Sequence, residues 1–141
     1  MQCGDIDQGE LIFNSLIEKN IGTYGAMMKG YIKHNQAQKA IDLFKEIKHP
    51  DDIIYTLLMK AYAHMASKDQ MNSIKRIVET IPKSLHSNTY FHTSLINAFA
   101  QCGDIETAKT IFDSTTSKSI ESYGALMKGR IISLFFLNHF I

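Results

Sequence analysis

Apolar residues recur along this chain in short stripes of helical spacing. Tyr24, Met27, Met28 and Tyr31 sit at i, i+3, i+4 and i+7, and Tyr55, Leu58, Met59 and Tyr62 repeat the pattern. His92, Leu95, Ile96 and Phe99 form it again with one polar member, and Tyr123, Leu126 and Met127 begin it a fourth time. This spacing gathers the side chains on one face of an amphipathic helix. A second stripe follows the first, in Ala40, Leu43, Phe44 and Ile47 and in Ala108, Ile111 and Phe112, with Ile12-Phe13 as the same feature near the start. Nowhere does the chain alternate apolar and polar residues as a half-buried strand does. Breakers fall between the stripes: Gly4 and Gly103 stand where a left-handed helix C-cap is wanted, and Asp5 and Asp104 follow as N-caps of the next helix. The pattern predicts helices near 5–19, 22–34, 36–48, 53–65, 70–81, 89–102, 104–114 and 120–129. It predicts burial of Tyr24, Met28, Tyr31, Phe44, Tyr55, Leu58, Leu95, Phe99 and Phe112.

The stripes belong to repeats. Gln2-Cys3-Gly4-Asp5-Ile6 recurs as Gln101-Cys102-Gly103-Asp104-Ile105, and Thr23 through Gly30 recurs with small changes as Ser122 through Gly129, both at an offset of 99 residues. Aligning the first stripes resolves that offset into steps of 31, 37 and 31 residues. The units run over 1–20 (partial), 21–51, 52–88, 89–119 and 120–129 (partial), and 130–141 is an off-pattern hydrophobic tail. The extra residues of the long middle unit are predicted to lengthen the turns around Ser67-Lys68-Asp69 and Pro82-Lys83-Ser84. Each unit is a helical hairpin too small to bury its own apolar face. Stacked neighbours bury it instead, so the predicted fold class is all-α, an α-solenoid.

Composition sets outer bounds. The 141 residues are 45% hydrophobic and 21% charged, as in a folded globular chain, and the net charge of +1 selects no partner class. Cys3 and Cys102 hold the same register three units apart, too far for a disulfide, and read as small apolar residues near helix ends. The chain is expected to be a fragment of a longer array, since Met1 enters in mid-unit and the pattern stops after Gly129. The tail to Ile141 reads as read-through or a frameshift, or else as a divergent terminal helix, and it is far short of a membrane span. No Gly-rich phosphate loop, zinc-deaminase signature or His-Glu-x-x-His occurs, so neither catalysis, nor a cofactor, nor a metal, nor a small-molecule substrate is predicted.

One face of the first helices is polar in each intact unit. Unit positions 5, 9 and 13 share it: Gly25, Lys29 and Lys33, then Thr56, Lys60 and His64, then Thr93, Asn97 and Gln101, with Gly124 and Lys128 opening the last. Stacked units would align these faces into a groove. Spaced lysines (Lys29, Lys33, Lys60, Lys128) suit phosphates, and hydroxyls and amides suit base edges, so single-stranded RNA is a fitting partner. The rival use of such a groove is to hold a peptide, as an interaction scaffold.

The blocks Thr23-Tyr24…Met28-x-Gly30-Tyr31, Leu95 through Ile105, and Ala108…Ile111-Phe112-Asp113 resemble pentatricopeptide repeats over residues 1–129, most closely at 89–113. Tetratricopeptide repeats, the nearest rival, want a small residue where this chain has Met28, Met59, Ile96 and Met127. The mixture of unit lengths is similar to the subclass with alternating short and long repeats. The resemblance implies a right-handed superhelix that binds single-stranded RNA, one base per unit. It also implies organellar RNA processing or modification, such as editing, in a mitochondrion or other organelle, with other RNA-processing proteins as further partners. Base reading would fall to position 5 and the last residue of each unit. Those pairs are Gly25 with Asp51, Thr56 with Asn88 and Thr93 with Ser119, plus the half-pairs Asn20 and Gly124. On the family pattern Thr56/Asn88 looks like an adenine reader and Thr93/Ser119 leans to purine, while Gly25 departs from it. Position 2 packs on the base in the family, which assigns Ile53 and Tyr90 and fits Gly22 and Glu121 poorly.

Overall fold

The computed structural model describes residues 3–116 and 118–139. Eight α-helices run through them: α1 (Cys3–Ser15), α2 (Ile21–Lys33), α3 (Ala37–Phe44), α4 (Asp52–Met65), α5 (Met71–Thr80), α6 (Thr89–Gln101), α7 (Ile105–Ser114) and α8 (Ile120–His139). No strand occurs among the described residues. The helices fall into two layers. α2, α4, α6 and α8, the first helices of successive units, pack side by side, while α3 and α7 lie against the first helices before and after them. This is the predicted α-solenoid. The long middle unit gains short 3-10 turns at Lys68–Gln70 and Lys83–Ser87, on the two stretches marked in the sequence, and Leu85 in the second is fully buried.

The stops between paired helices share one device. The three residues with positive φ among the described ones are Asn35 (58°), Ala66 (48°) and Gly103 (95°), and each occupies the fifteenth position of its unit. Left-handed backbone at that point ends the first helix and lets the chain double back. Counted on from Ile120, the same place falls in the tail at Leu134, a side chain that resists left-handed backbone, and α8 runs on uninterrupted to His139. The predicted stop at Gly4 and cap at Asp5 do not form. α1 begins at Cys3 and carries both residues in its first turn, because no described helix precedes Gly4 for it to terminate. At the matching place, Gly103 and Asp104 behave as predicted: the Asp104 carboxylate accepts from the Thr107 backbone N–H at 3.1 Å.

Packing repeats from unit to unit. Met28, Leu58 and Ile96 are wholly enclosed, and Tyr31, Leu95, Phe99 and Phe112 are buried with them. Tyr24, Phe44 and Tyr55 are half-buried rather than buried, because they lie in aromatic pairs at the junctions of successive units. Phe13 meets Tyr24 with ring centroids 5.3 Å apart, Phe44 meets Tyr55 at 5.6 Å and Phe112 meets Tyr123 at 4.8 Å. Each pair joins the end of one second helix to the start of the next first helix, edge-on in the first and last and tilted in the middle one, and such aromatic pairs contribute about 0.5–1.5 kcal/mol beyond area burial. Lys19 lies over Phe13 and Lys118 over Phe112, both within 5.3 Å, so two junctions also carry a cation on the ring. The junction between the middle unit and the next has Ile81 and His92 at the equivalent places, and burial, followed by the neighbouring His86, holds the His92 imidazole below its usual pKa.

Cys102 is buried and its thiol points at the Tyr62 carbonyl, 3.9 Å away; burial pushes that thiol up from its ordinary pKa. It acts as the small apolar residue the sequence implied, whereas the side chain of Cys3 lies outside the described residues.

Candidate nucleic-acid interface

The last residue of each unit is the N-cap of the helix that follows. Asn20 accepts from the Thr23 backbone N–H at 2.9 Å, Asp51 from Ile54 at 2.9 Å, Asn88 from Phe91 at 3.0 Å and Ser119 from Ser122 at 3.1 Å. Capping holds these four side chains at fixed places, at the positive end of a helix dipole, and each cap is worth about 1 kcal/mol. At Asn20 the arrangement is reciprocal, since the Thr23 hydroxyl accepts the Asn20 backbone N–H at 3.1 Å.

Position 5 lies near the cap that closes its own unit. In unit three Thr93 Oγ1 is 3.3 Å from Ser119 Oγ. In unit two the Thr56 hydroxyl donates to the Asp52 carbonyl at 2.8 Å, and the Asn88 amide donates to the Asp52 carboxylate at 3.2 Å. Unit one differs. Gly25 is buried, and a Cβ there would lie 3.5 Å from Ile54 Cδ1 and 3.9 Å from Leu57 Cδ1, so its backbone rests against the next unit. Gly124 is exposed, with nothing within 4 Å of a Cβ.

These residues bound a groove of about 680 Å³ that spans the last three first-helices. Thr56 and Lys60 supply one wall from α4; Tyr90, Thr93 and Asn97 supply the floor from α6; Ser119, Gly124 and Lys128 close it from α8. Positions 5 and 9, which helical spacing put on one face, therefore meet here with positions 2 and last, whereas His64 and Gln101 at position 13 do not line the groove. Thr89, Ser94 and Ala125 line it as well, outside the residues singled out from sequence, as does Glu121, the position-2 residue that fits base packing poorly. Tyr90 stands 83% exposed and Ile53 61%, both large enough for a planar ring to pack on. Lys29, Lys33, Lys60 and Lys128 are exposed, and none pairs with a carboxylate among the described residues. Asn20, Gly25, Lys29, Lys33, Asp51, Ile53 and Asn88 are not part of the groove lining, and Asn20 borders a separate cavity with Tyr24 and His49. A further residue, Asp52, was hidden in the sequence because an acid in a first helical turn already has a reason to be there. No group of three or more His, Cys, Asp or Glu able to hold a metal occurs among the described residues.

Comparison with known proteins adds a family. The family model described as PPR repeat matches residues 22–49 and 90–120, one short unit on each side of the long middle one. A chloroplastic pentatricopeptide repeat-containing protein of Arabidopsis thaliana is 29% identical over 132 residues, covering 91% of this chain and 18% of the relative. A mitochondrial one from the same plant, with putative in its name, is 24% identical over 131 residues, 90% of this chain and 21% of the relative. A third is 26% identical over 137 residues, 94% and 24%. The chain thus spans about a fifth of the length of these relatives. Unit length, paired helices, repeated caps and these matches agree: the chain carries pentatricopeptide repeats and is similar over most of its length to pentatricopeptide repeat proteins.

Proposed function

We propose that this array binds single-stranded RNA selectively by sequence and serves organellar RNA processing or modification. The observation that carries the reading is the convergence of Thr56, Thr93, Ser119 and Tyr90 with Lys60 and Lys128 on one open groove. Fixed hydroxyls meet base edges, an exposed ring offers a stacking surface, and the ammonium groups meet phosphates. Thr56/Asn88 and Thr93/Ser119 read one base each, and Asp51 and Asn20 serve the units they close. Lys29 and Lys33 extend the phosphate track past Gly25, where no side chain discriminates. The array binds and positions RNA and performs no reaction itself. The chloroplastic and mitochondrial relatives support an organellar setting.

The test is the binding of this chain to single-stranded and duplex RNA across salt concentrations. Single strands should win, and affinity should fall as salt rises. Replacing Lys29, Lys33 and Lys60 with alanine should weaken all sequences alike and flatten the logarithmic salt slope by about 2, at roughly 0.7 for each phosphate no longer neutralised. Tyr90→Ala should weaken binding about 5- to 150-fold, the range for one stacked base. Equal binding of duplex and single strands, or lysine changes without effect, would sink the proposal and favour a peptide in the groove.

A further inference from the structure

The Asn88 side chain is held by two partners at once. Its Oδ1 accepts from the Phe91 backbone N–H at 3.0 Å, and its Nδ2 donates to Asp52 Oδ2 at 3.2 Å. The two contacts fix the orientation of the amide, since the reversed amide would set N–H against N–H and oxygen against carboxylate. Asp52 opens the unit that Asn88 closes, 36 positions away, and both are half-buried. Other units lack this link, because their first residues are Ile21, Thr89 and Ile120. Asp52 sits one turn before Thr56, which lines the groove, and the Thr56 hydroxyl gives its hydrogen to the Asp52 carbonyl at 2.8 Å.

The polar edge of unit two follows from where these hydrogens go. Asn88 keeps one N–H donor. Asp52 keeps free carboxylate lone pairs beside it, and Thr56 offers only lone pairs. We infer that Asp52 is a positioning residue for base selection by unit two, locking the Asn88 amide and adding an acceptor next to its remaining N–H. A donor beside an acceptor complements an edge with a ring nitrogen beside an amino group, as in adenine and cytosine. Uracil and guanine bring a carbonyl oxygen to the place of that amino group, against the carboxylate. This deepens the RNA reading and rests on it.

The link also sets unit two apart under substitution. Asn88→Asp would place a second carboxylate against Asp52 and remove the hydrogen between them. Changing that one side chain therefore disturbs the unit as well as its hydrogen-bonding pattern.

The experiment uses the full chain with oligonucleotides that differ at one nucleotide, and compares it with Asp52→Ala and Asp52→Asn. Asp52→Ala should reduce the preference for amino over keto bases at that nucleotide by roughly 5- to 150-fold, the worth of one base-edge contact pair. Asp52→Asn, which keeps the shape and can still accept from Asn88, should retain part of it. Without RNA, the Asn88 side-chain amide signals in a ¹H–¹⁵N spectrum should shift toward free-asparagine values in Asp52→Ala. Uniform tightening for every sequence would mean that Asp52 acts only as a repelling charge, and would overturn the inference. Unchanged Asn88 amide signals would overturn it too. A wild-type chain that binds no single-stranded RNA overturns the RNA reading and the base-selection role with it, even where the spectrum shows the contact. An RNA-binding wild type whose preference survives Asp52→Ala overturns the role of Asp52 alone.

Discussion

Thr93 and Ser119 are 26 positions apart, yet their hydroxyl oxygens lie 3.3 Å from each other, and Ser119 at the same time caps α8. The Thr93 hydroxyl gives its hydrogen to the Thr89 carbonyl at 2.9 Å, so Ser119 is the donor between the two. Ser119→Ala removes the cap and the link together and should lower unfolding free energy by about 1 kcal/mol. Thr93→Val keeps the cap and most of the packing and should change it by no more than about half as much. Urea unfolding of both variants checks the difference; equal losses would mean that the cap carries no weight.

Two glycines of α8 should respond in opposite directions to the same change. A Cβ on Gly129 would lie 2.5 Å from Ala100 Cβ and 3.2 Å from Ala100 Cα, and backbone cannot swing aside as a side chain can. Gly129→Ala should destabilise by about 1–3 kcal/mol as α8 is pushed off α6. Gly124→Ala meets open space and should stabilise the helix by roughly 0.5–1 kcal/mol. Thermal melts of the two variants suffice to compare them.

Ala66 holds φ at 48°, where its Cβ is disfavoured by about 1–2 kcal/mol, and glycine carries no such penalty. After the greater chain entropy of glycine is subtracted, Ala66→Gly should stabilise by about 0.5–1 kcal/mol. Gly103→Ala at φ 95° should do the reverse, with its Cβ also brought to 3.4 Å from Lys68 Cε. Denaturation midpoints of the pair test whether the shared stop of the first helices depends on left-handed backbone.

Much of this architecture was legible in the sequence because it repeats. The 31- and 37-residue steps located first helices, second helices and the lengthened turns, and in three of the four first-helix stripes every residue but the leading one reached the core. Gly4 misled because its letters match Gly103 while its surroundings do not: a C-cap needs a helix to end. Tyr24, Phe44 and Tyr55 were placed too deep, since a helical stripe identifies a face but not how far a ring reaches past the edge of the layer. For the groove, spacing alone put Thr56, Lys60, Thr93 and Lys128 on one side. It did not reveal Asp52, whose partner lies 36 positions on and is fixed by how the hairpin closes.

Asp104 gives the molecule an acid-sensitive joint. Burial works against its carboxylate, but hydrogen bonds from the Thr107 hydroxyl and backbone N–H, with the Lys75 ammonium at 3.3 Å, outweigh it and hold the pKa below the ordinary 3.8. A depressed folded-state pKa means that this stabilisation is complete above about pH 4 and is lost as pH falls through the lower folded value. Asp104→Asn keeps a capping oxygen and removes the charge, so its stability should decline less between about pH 5 and about pH 2, a window that reaches further below the ordinary value than above it because the folded value is depressed, than that of wild type. Parallel denaturation series at those pH values decide it.

Because each unit ends on the residue that caps its successor, the vocabulary open to that position is narrow. A side chain there must be short and must present an oxygen to a backbone N–H, which leaves Asn, Asp, Ser and Thr, and this chain uses the first three. If the position also reads a base, the alphabet of recognition is a subset of the alphabet of helix initiation. Rewriting the target of one unit then means choosing among a few letters, and any other choice loosens the next unit before it alters what is read.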